Sequence, residues 1–301
     1  MVKETAFVPG HISGFFEICD SDDLMRKGSR NCGLCIDSGV LTEVEVEQDA
    51  EDEISIFING ERNPAKTTAM AVKYVLKHFD GKVSIKVRHS AEAPIGSGYG
   101  MSGSGTLGAV LALSRALEID IDREDILTKA HKAEVRCESG LGDVGPEMLG
   151  GLVIGLEPGA PPYGKWERID VPDNIKVICG TKGALPTKGL LNDYNLKRKV
   201  KRLGKEAIND LLEDKSIENF MKVSSKFALK TGIFDKEFRK VIEEISSKSP
   251  LGASAVLLGK SVFAPCPDFR IGELEEVFSK HFEPGNIMKT SIDHDGASIV
   301  N

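Results

Sequence analysis

Apolar residues recur at period two in several segments of the first ninety residues, and at helical spacing from Ala65 and again beyond residue 105, with further strands mixed in after residue 150. In "EDEISIFING" (51–60) and "KVSIKVRHS" (82–90) apolar side chains alternate with polar ones, and Val83, Ile85 and Val87 share one face, as a half-buried strand requires. "ETAFVP" (4–9) and "SGVLTEVEVE" (38–47) have the same strand character, and the Asn59–Gly60 dipeptide marks a turn. From Ala65 the spacing becomes helical through Met70, Tyr74 and Val75, ending near "FDGK" at 79–82. A second helix carries Leu107, Val110, Leu111, Ser114 and Leu117 on one stripe, and a third is predicted over 123–137 with Asp122 as its N-cap. "GGLVIGLEPGAPPYGKWER" (150–168) reads as a strand followed by a Pro/Gly-rich connection. Beyond it the pattern gives a strand at "IKVICGT" (175–181), two or three helices over 192–247, strands at "ASAVLLG" (253–259) and "SVFAP" (261–265), a helix near 273–281 and final strands. This mixture predicts an α+β chain in two domains, 1–160 and 161–301.

Composition narrows the class. With 301 residues, 41% hydrophobic and 28% charged, the chain can bury a core without staples. No apolar run approaches the ~18 residues of a membrane span, and the N-terminal segment lacks the basic-then-apolar pattern of a secretory signal, so a cytoplasmic protein without membrane contact is expected. A net charge of −7 argues against sequence-independent nucleic-acid binding, which needs clustered Lys and Arg to displace counterions. The one basic run, "LKRKVKR" at 196–202, reads as a solvated helix face. Six cysteines include a single CxxC, Cys32 and Cys35, with no second pair or His pair beside it, so buried reduced thiols are expected.

The segment that carries chemistry joins the 82–90 strand to the second helix: "APIGSGYGMSGSG" (93–105). Gly98, Gly100 and Gly103 spell GxGxxG, but eight residues including Pro94 separate them from His89, and no second strand with an acidic ribose ligand follows. A dinucleotide fold is therefore excluded, and a Walker-type loop is absent because no GK[ST] follows. Glycines remove the Cβ atoms that would keep a phosphate from backbone N–H groups, and a helix starting near Gly103 aims its unpaired amides at the same space. Ser102 and Ser104 add hydroxyls that can cap the helix or reach a phosphate oxygen or Mg²⁺. The loop is read as a phosphate cradle.

"PIGSGYGMSGSG" also resembles the P-x-x-x-G-L-G-S-S-A-A signature of the GHMP kinases, and two further segments agree: "AFVPGHISGFFE" (6–17) is similar to the family's N-terminal motif, and "HKAEVRCESGLGDVGPEMLGGLVI" (131–154) to the segment that holds a magnesium glutamate, a downstream aspartate and a Gly-Gly strand. VPGHISGFF, GYGMSGSG and "GSRNCGLCIDSGV" (28–40) resemble the archaeal branch of that superfamily that phosphorylates pantoate on the way to coenzyme A. The resemblance implies a two-domain α+β fold, with an N-terminal ribosomal-protein-S5-domain-2-like α/β domain and a C-terminal ferredoxin-like α+β domain. It also implies ATP and Mg²⁺ as cofactors and a possible homodimer.

Carried onto this sequence, the resemblance makes Pro94, Gly96, Ser97, Gly98, Tyr99, Gly100, Met101, Ser102, Gly103 and Ser104 the nucleotide-binding loop. Glu134 and Ser102 become the metal ligands, with Ser104 the substitute for Ser102, and Asp143 the base for the acceptor hydroxyl. For an acceptor bearing a carboxylate, His131, Ser29 and Arg30 are the candidates for binding, joined by His11 of the VPGHISGFF segment. The third glycine-rich motif of the family is reduced here to Gly252 and Gly259 in "SPLGASAVLLGKSVFA" (249–264), with Ala253 and Ser254 where glycines are expected. Two alternatives stay open: another GHMP small-molecule kinase such as homoserine kinase, and a non-catalytic ligand sensor on the same fold.

Overall fold

The computed structural model describes residues 1–48, 51, 53–184 and 194–300. Two long strands, β1 (Val2–Cys19) and β2 (Gly28–Gln48), form an antiparallel ribbon that continues well past the segments whose alternation is clean. Just past the strand-like segment 4–9 the register shifts, between Val8 and Gly10, with a second shift between Ser13 and Phe15. At the first shift β2 carries two extra residues and at the second β1 carries one, and such insertions bend the ribbon while leaving pairing intact on either side. Cys32 and Cys35 lie within β2, both fully buried free thiols, and burial pushes both well above the ordinary thiol range.

Around the ribbon an eight-stranded sheet forms in the order β12-β1-β2-β5-β3-β4, with β6 and β7 branching from β2. Its other members are β3 (Glu53–Ile58), β4 (Glu61–Arg62), β5 (Val83–Ala91), β6 (Leu152–Glu157), β7 (Lys165–Ile169) and β12 (Ser298–Ile299). The Pro/Gly connection joins β6 to β7 within this sheet, so the chain changes sheets after Ile169. Helices α1 (Lys66–Leu76), α2 (Met101–Ala116) and α3 (Arg123–Cys137) cover one face, and α4 (Val144–Leu149) runs up to β6. Asp122 caps α3 as its sequence position predicts, accepting from Asp125 N at 2.8 Å.

The second sheet, β11-β8-β10-β9, is antiparallel throughout and built from β8 (Ile175–Ala184), β9 (Ser254–Val256), β10 (Gly259–Pro267) and β11 (Ile287–Ser291). Among the described residues four helices follow: α5 (Tyr194–Glu213), which packs on β1 and on the next helix, and α6 (Ile217–Thr231), α7 (Lys236–Ser246) and α8 (Ile271–Phe278), which pack on the second sheet. The chain is therefore α+β, as expected. The ribbon serves both cores: Ala6, Val8, Val44 and Val46 pack with α1–α3, whereas Ile12, Phe15, Phe16 and Leu34 pack with Phe220, Phe227 and Phe263. The first register shift sits where the ribbon passes from one core to the other, and that point borders the glycine loop, since His11 N donates to Tyr99 O at 2.9 Å.

Beneath α2 lies His89 of β5, fully enclosed, with Thr42 Oγ1 2.9 Å from Nδ1 and Thr68 Oγ1 3.2 Å from Nε2. Burial pushes its imidazole from the ordinary 6.5 down to about 4. The fold keeps the ring neutral while the unfolded chain protonates it below 6.5, so the unfolded state binds the extra proton between those two values. Stability should therefore fall as pH drops from 6.5 towards about 4, by about 3 kcal/mol in all. His89→Gln should flatten that part of the profile of urea unfolding against pH. An equally steep fall in the variant would assign the loss to other groups.

Candidate active site

The glycine loop lies between β5 and α2, and a cleft of ≈300 Å³ opens in front of it. Gly96, Gly98, Tyr99, Gly100, Met101, Ser102 and Gly103 line that cleft, facing Ser13, Lys27, Ser29, Asn31, Glu134 and Asp143. No side chain caps α2, so its first amides keep their donors for a ligand. Gly100 precedes α2 at φ 73°, and a Cβ there would stand 2.5 Å from Glu147 Oε1. Glycine is demanded twice at this position, by backbone conformation and by space. Pro94 and Ser97 do not line the cleft; Ser97 N donates to Pro94 O at 3.3 Å in a turn that supports the loop.

The two loop serines separate cleanly. Ser102 is exposed on the cleft wall. Ser104 is fully buried, its hydroxyl donating to Pro9 O at 2.9 Å and lying 3.1 Å from Glu147 Oε1. Ser104 therefore ties α2 to the β1 register shift, and Ser102 is the hydroxyl a ligand can reach.

Glu134 projects from α3 into the same space and is 1% exposed, with Oε2 unpartnered. Burial, and then the neighbouring charge of Asp143, push its carboxyl well above the ordinary range, while the Val144 amide pulls the other way. A Cβ at Gly103 would stand 3.0 Å from Glu134 Oε1, so the absence of a side chain at 103 gives the carboxyl its room. An isolated buried carboxylate with an open oxygen is costly, and it is the arrangement a hard divalent cation relieves.

Sequence reasoning missed Glu147, although it lies inside the "GPEMLGG" segment. It is fully buried on α4, with Oε2 unpartnered, and a Cβ at Gly103 would lie 2.9 Å from that oxygen. Burial, then the charges of Asp143 and Glu134, push its carboxyl well above the ordinary range, with Ser104 pulling down. Protonated, it can supply the hydrogen for its contact with Ser104, whose own proton goes to Pro9. A run of glycines facing a glutamate in a six-residue helix is the only local signal, and it does not say which glycines.

Asp143 precedes α4 yet makes no capping bond. Its Oδ1 instead lies 2.9 Å from His11 Nδ1 and accepts from Ser13 Oγ at 3.4 Å. An ionised carboxylate only accepts, so the hydrogen in the His11 contact belongs to the imidazole. Asp143 is thus held from behind, with its side chain 29% exposed towards the cleft.

The acceptor candidates are placed less evenly. Ser29 lines the cleft with Asn31, whose Nδ2 donates to Ser29 Oγ at 3.4 Å. Arg30, between them on β2, faces the other side and pairs with Glu17, its Nε 2.8 Å from Oε2. Period-two alternation makes 29 and 31 one face and 30 the other, so Arg30 departs from the expected site. His11 is 1% exposed and stands behind Asp143 without lining the cleft. His131 is likewise buried and outside the lining; its Nε2 donates to Lys27 O at 2.9 Å, and burial lowers its pKa, keeping the ring neutral.

The degenerate glycine segment 249–264 packs directly on the loop. Leu257 and Leu258 line the cleft, and Ser261 Oγ donates to Ser97 O at 3.2 Å. Tyr99, 1% exposed, places its hydroxyl 2.8 Å from Thr181 Oγ1 of β8. The loop is therefore gripped by both sheets.

Comparison with known proteins agrees with this geometry. The description "GHMP kinases N terminal domain" matches residues 65–151, the stretch holding α1, the loop, α3 and α4. The chain is 34% identical over 260 residues to the pantoate kinase of Methanocaldococcus jannaschii, covering 85% of this chain and 90% of that one. It is 31% identical over 303 residues to the pantoate kinase of Methanospirillum hungatei, covering 100% and 97%. A solved structure described as a phosphotransferase related to the CoA biosynthesis pathway superposes with a TM-score of 0.90 at 26% identity, over 99% of this chain and 98% of that one. Homoserine kinase from Cytophaga hutchinsonii shares the fold, with a TM-score of 0.73 at 16% identity over 100% and 98%. The chain belongs to the GHMP kinase family, in the branch that holds the pantoate kinases.

Proposed function

We propose that this chain transfers the γ-phosphoryl group of ATP to the primary hydroxyl of pantoate, giving 4-phosphopantoate for coenzyme A biosynthesis. One observation carries the reading: a single cleft gathers the capless start of α2, the Ser102 hydroxyl, the open oxygen of Glu134 and the braced carboxylate of Asp143. Phosphoryl transfer asks a protein mainly to place the phosphates and neutralise charge. The backbone donors of 96–103 hold the triphosphate. Asp143, fixed by His11 and Ser13, takes the proton of the acceptor hydroxyl as that oxygen bonds to the γ-phosphorus and the bond to the bridging oxygen of ADP breaks. The orphaned Glu134 oxygen and the Ser102 hydroxyl fit Mg²⁺, a cation that takes hard oxygen ligands. When bound, that ion would offset charge on the phosphate oxygens.

Placement in the cytoplasm, a homodimer, and a division into an N-terminal loop-bearing domain and a C-terminal α+β domain belong to the same proposal. Among the described residues no helix is long and apolar enough to cross a membrane. The reading is tested by ADP release with pantoate, homoserine and mevalonate as acceptors. Turnover of pantoate above the other two is expected, and homoserine turnover without pantoate turnover would replace the acceptor.

A further inference from the structure

An acceptor that carries a carboxylate must enter a cleft lined by Glu138 and Asp143, beside a triphosphate. Repulsion among these charges makes a cation in the lining a requirement for tight binding. The side chains that the sequence nominates do not supply it: Arg30 is committed to Glu17 on the far face of β2, and His131 is buried and neutral. Two other cations line the cleft, Lys27 and Lys197. Lys197 is neutralised by Asp20, its Nζ 3.0 Å from Oδ2. Among the described residues no ion pair holds Lys27.

Lys27 is also built into place. Its amide donates to Asp23 O at 2.9 Å, and its carbonyl accepts from His131 Nε2 at 2.9 Å, so both ends of its peptide are fixed just before β2 begins. Gly28 follows in a space where a Cβ would lie 2.9 Å from Gly159 N and 3.1 Å from Leu141 O, which locks the turn against the α3–α4 connection. Ser29 then lines the cleft, and Gly142, the neighbour of Asp143, comes up to the Ser29 hydroxyl, with 3.4 Å between that oxygen and a Cβ built at Gly142. Lys27, Ser29 and Asp143 thus form one continuous stretch of wall, with a proton acceptor at one end and an uncompensated cation at the other.

We propose that Lys27 receives the carboxylate of the acceptor and that His131 acts as a positioning residue, through the Lys27 carbonyl. The assignment rests on the acceptor reading above and goes further by naming the residue that selects an acid over a neutral alcohol. A lysine offers a compact charge with three donors, and a charge-assisted contact with a carboxylate is stronger than a neutral one.

The experiment compares pantoate with its neutral primary amide as acceptors for the wild-type chain, Lys27→Met and Lys27→Arg. Lys27 is half-buried and apolar replacement leaves its backbone bonds in place, so Lys27→Met should fold. It should raise the KM for pantoate about 10- to 100-fold and leave the KM values for ATP and for the amide unchanged. Lys27→Arg should recover most of the loss. His131→Gln should raise the pantoate KM alone and add nothing in the Lys27→Met background, whereas a merely structural histidine would add its effect to that of the lysine. An unchanged pantoate KM in Lys27→Met, or equal losses for the acid and the amide, would overturn the assignment. Wild-type chain that turns over another acceptor but not pantoate would instead overturn the acceptor reading, and the anchor with it.

Discussion

Glu134→Gln is expected to lower kcat by roughly 10²- to 10⁴-fold while making the metal-free protein more stable. The substitution keeps shape and burial and removes the carboxyl's capacity for negative charge, at a group whose Oε2 has no partner. Loss of turnover follows if that charge holds the cation beside the phosphates. The stability gain has a definite sign. The carboxyl is pushed up in the fold, by burial first and Asp143 second, so the native state holds a proton that the unfolded chain releases above the ordinary 4.5. Native protein is then progressively disfavoured as pH rises from 4.5, and glutamine carries no such penalty. Thermal melts in chelator should therefore coincide near pH 4.5 and diverge in favour of the variant as pH rises towards neutral. Near-normal turnover at saturating Mg²⁺ would remove Glu134 from the metal site, and melts that do not diverge would contradict the buried charge.

Gly259→Ala should raise the KM for ATP by about 10- to 100-fold and cost about 1–3 kcal/mol of stability. A methyl group at 259 would overlap the Ser97 carbonyl oxygen and stand 2.9 Å from Gly98 N. Both are backbone atoms, so no side chain can swing aside. The contact is reciprocal: Gly98, at φ 92°, would bring a Cβ to 2.5 Å from Leu257 O. Relief requires the phosphate loop to move off the second sheet, against the Ser261–Ser97 and Tyr99–Thr181 hydrogen bonds. Gly272→Ala in α8 is the control, since it meets nothing within 4 Å and should stabilise by about 0.5–1 kcal/mol without touching the ATP KM. Steady-state kinetics with denaturant unfolding on both variants checks the pair. Normal ATP affinity in Gly259→Ala would mean that the loop does not depend on the second sheet. The reduced third glycine motif is thus accounted for at Gly259, where the two backbones meet. Ala253 and Ser254, where the family pattern has glycine, are fully buried in the second core.

What the sequence determined by itself is local. The alternation of Val83, Ile85 and Val87 placed a strand, the stripe from Leu107 placed α2, Asp122 placed the start of α3, and the glycines between them placed a helix start where phosphate could approach. These follow from a residue's own backbone preferences and from the period of its own element, which a short window contains. Pairings between distant parts of the chain were not legible. The strand character of segment 4–9 did not reveal that β1 runs on through Pro9–Gly10 to Cys19, because that continuation depends on pairing with β2. Arg30 was nominated for its charge, yet the pairing of β2 with β1 turned it to Glu17 and gave the cleft to Ser29 and Asn31. Glu147 reached the loop only because α4 packs under α2, and Gly259 only because the second sheet closes on Ser97 from 162 positions further along the chain. Periodicity tells a residue which side of its element it occupies, and packing alone decides which distant group it meets there.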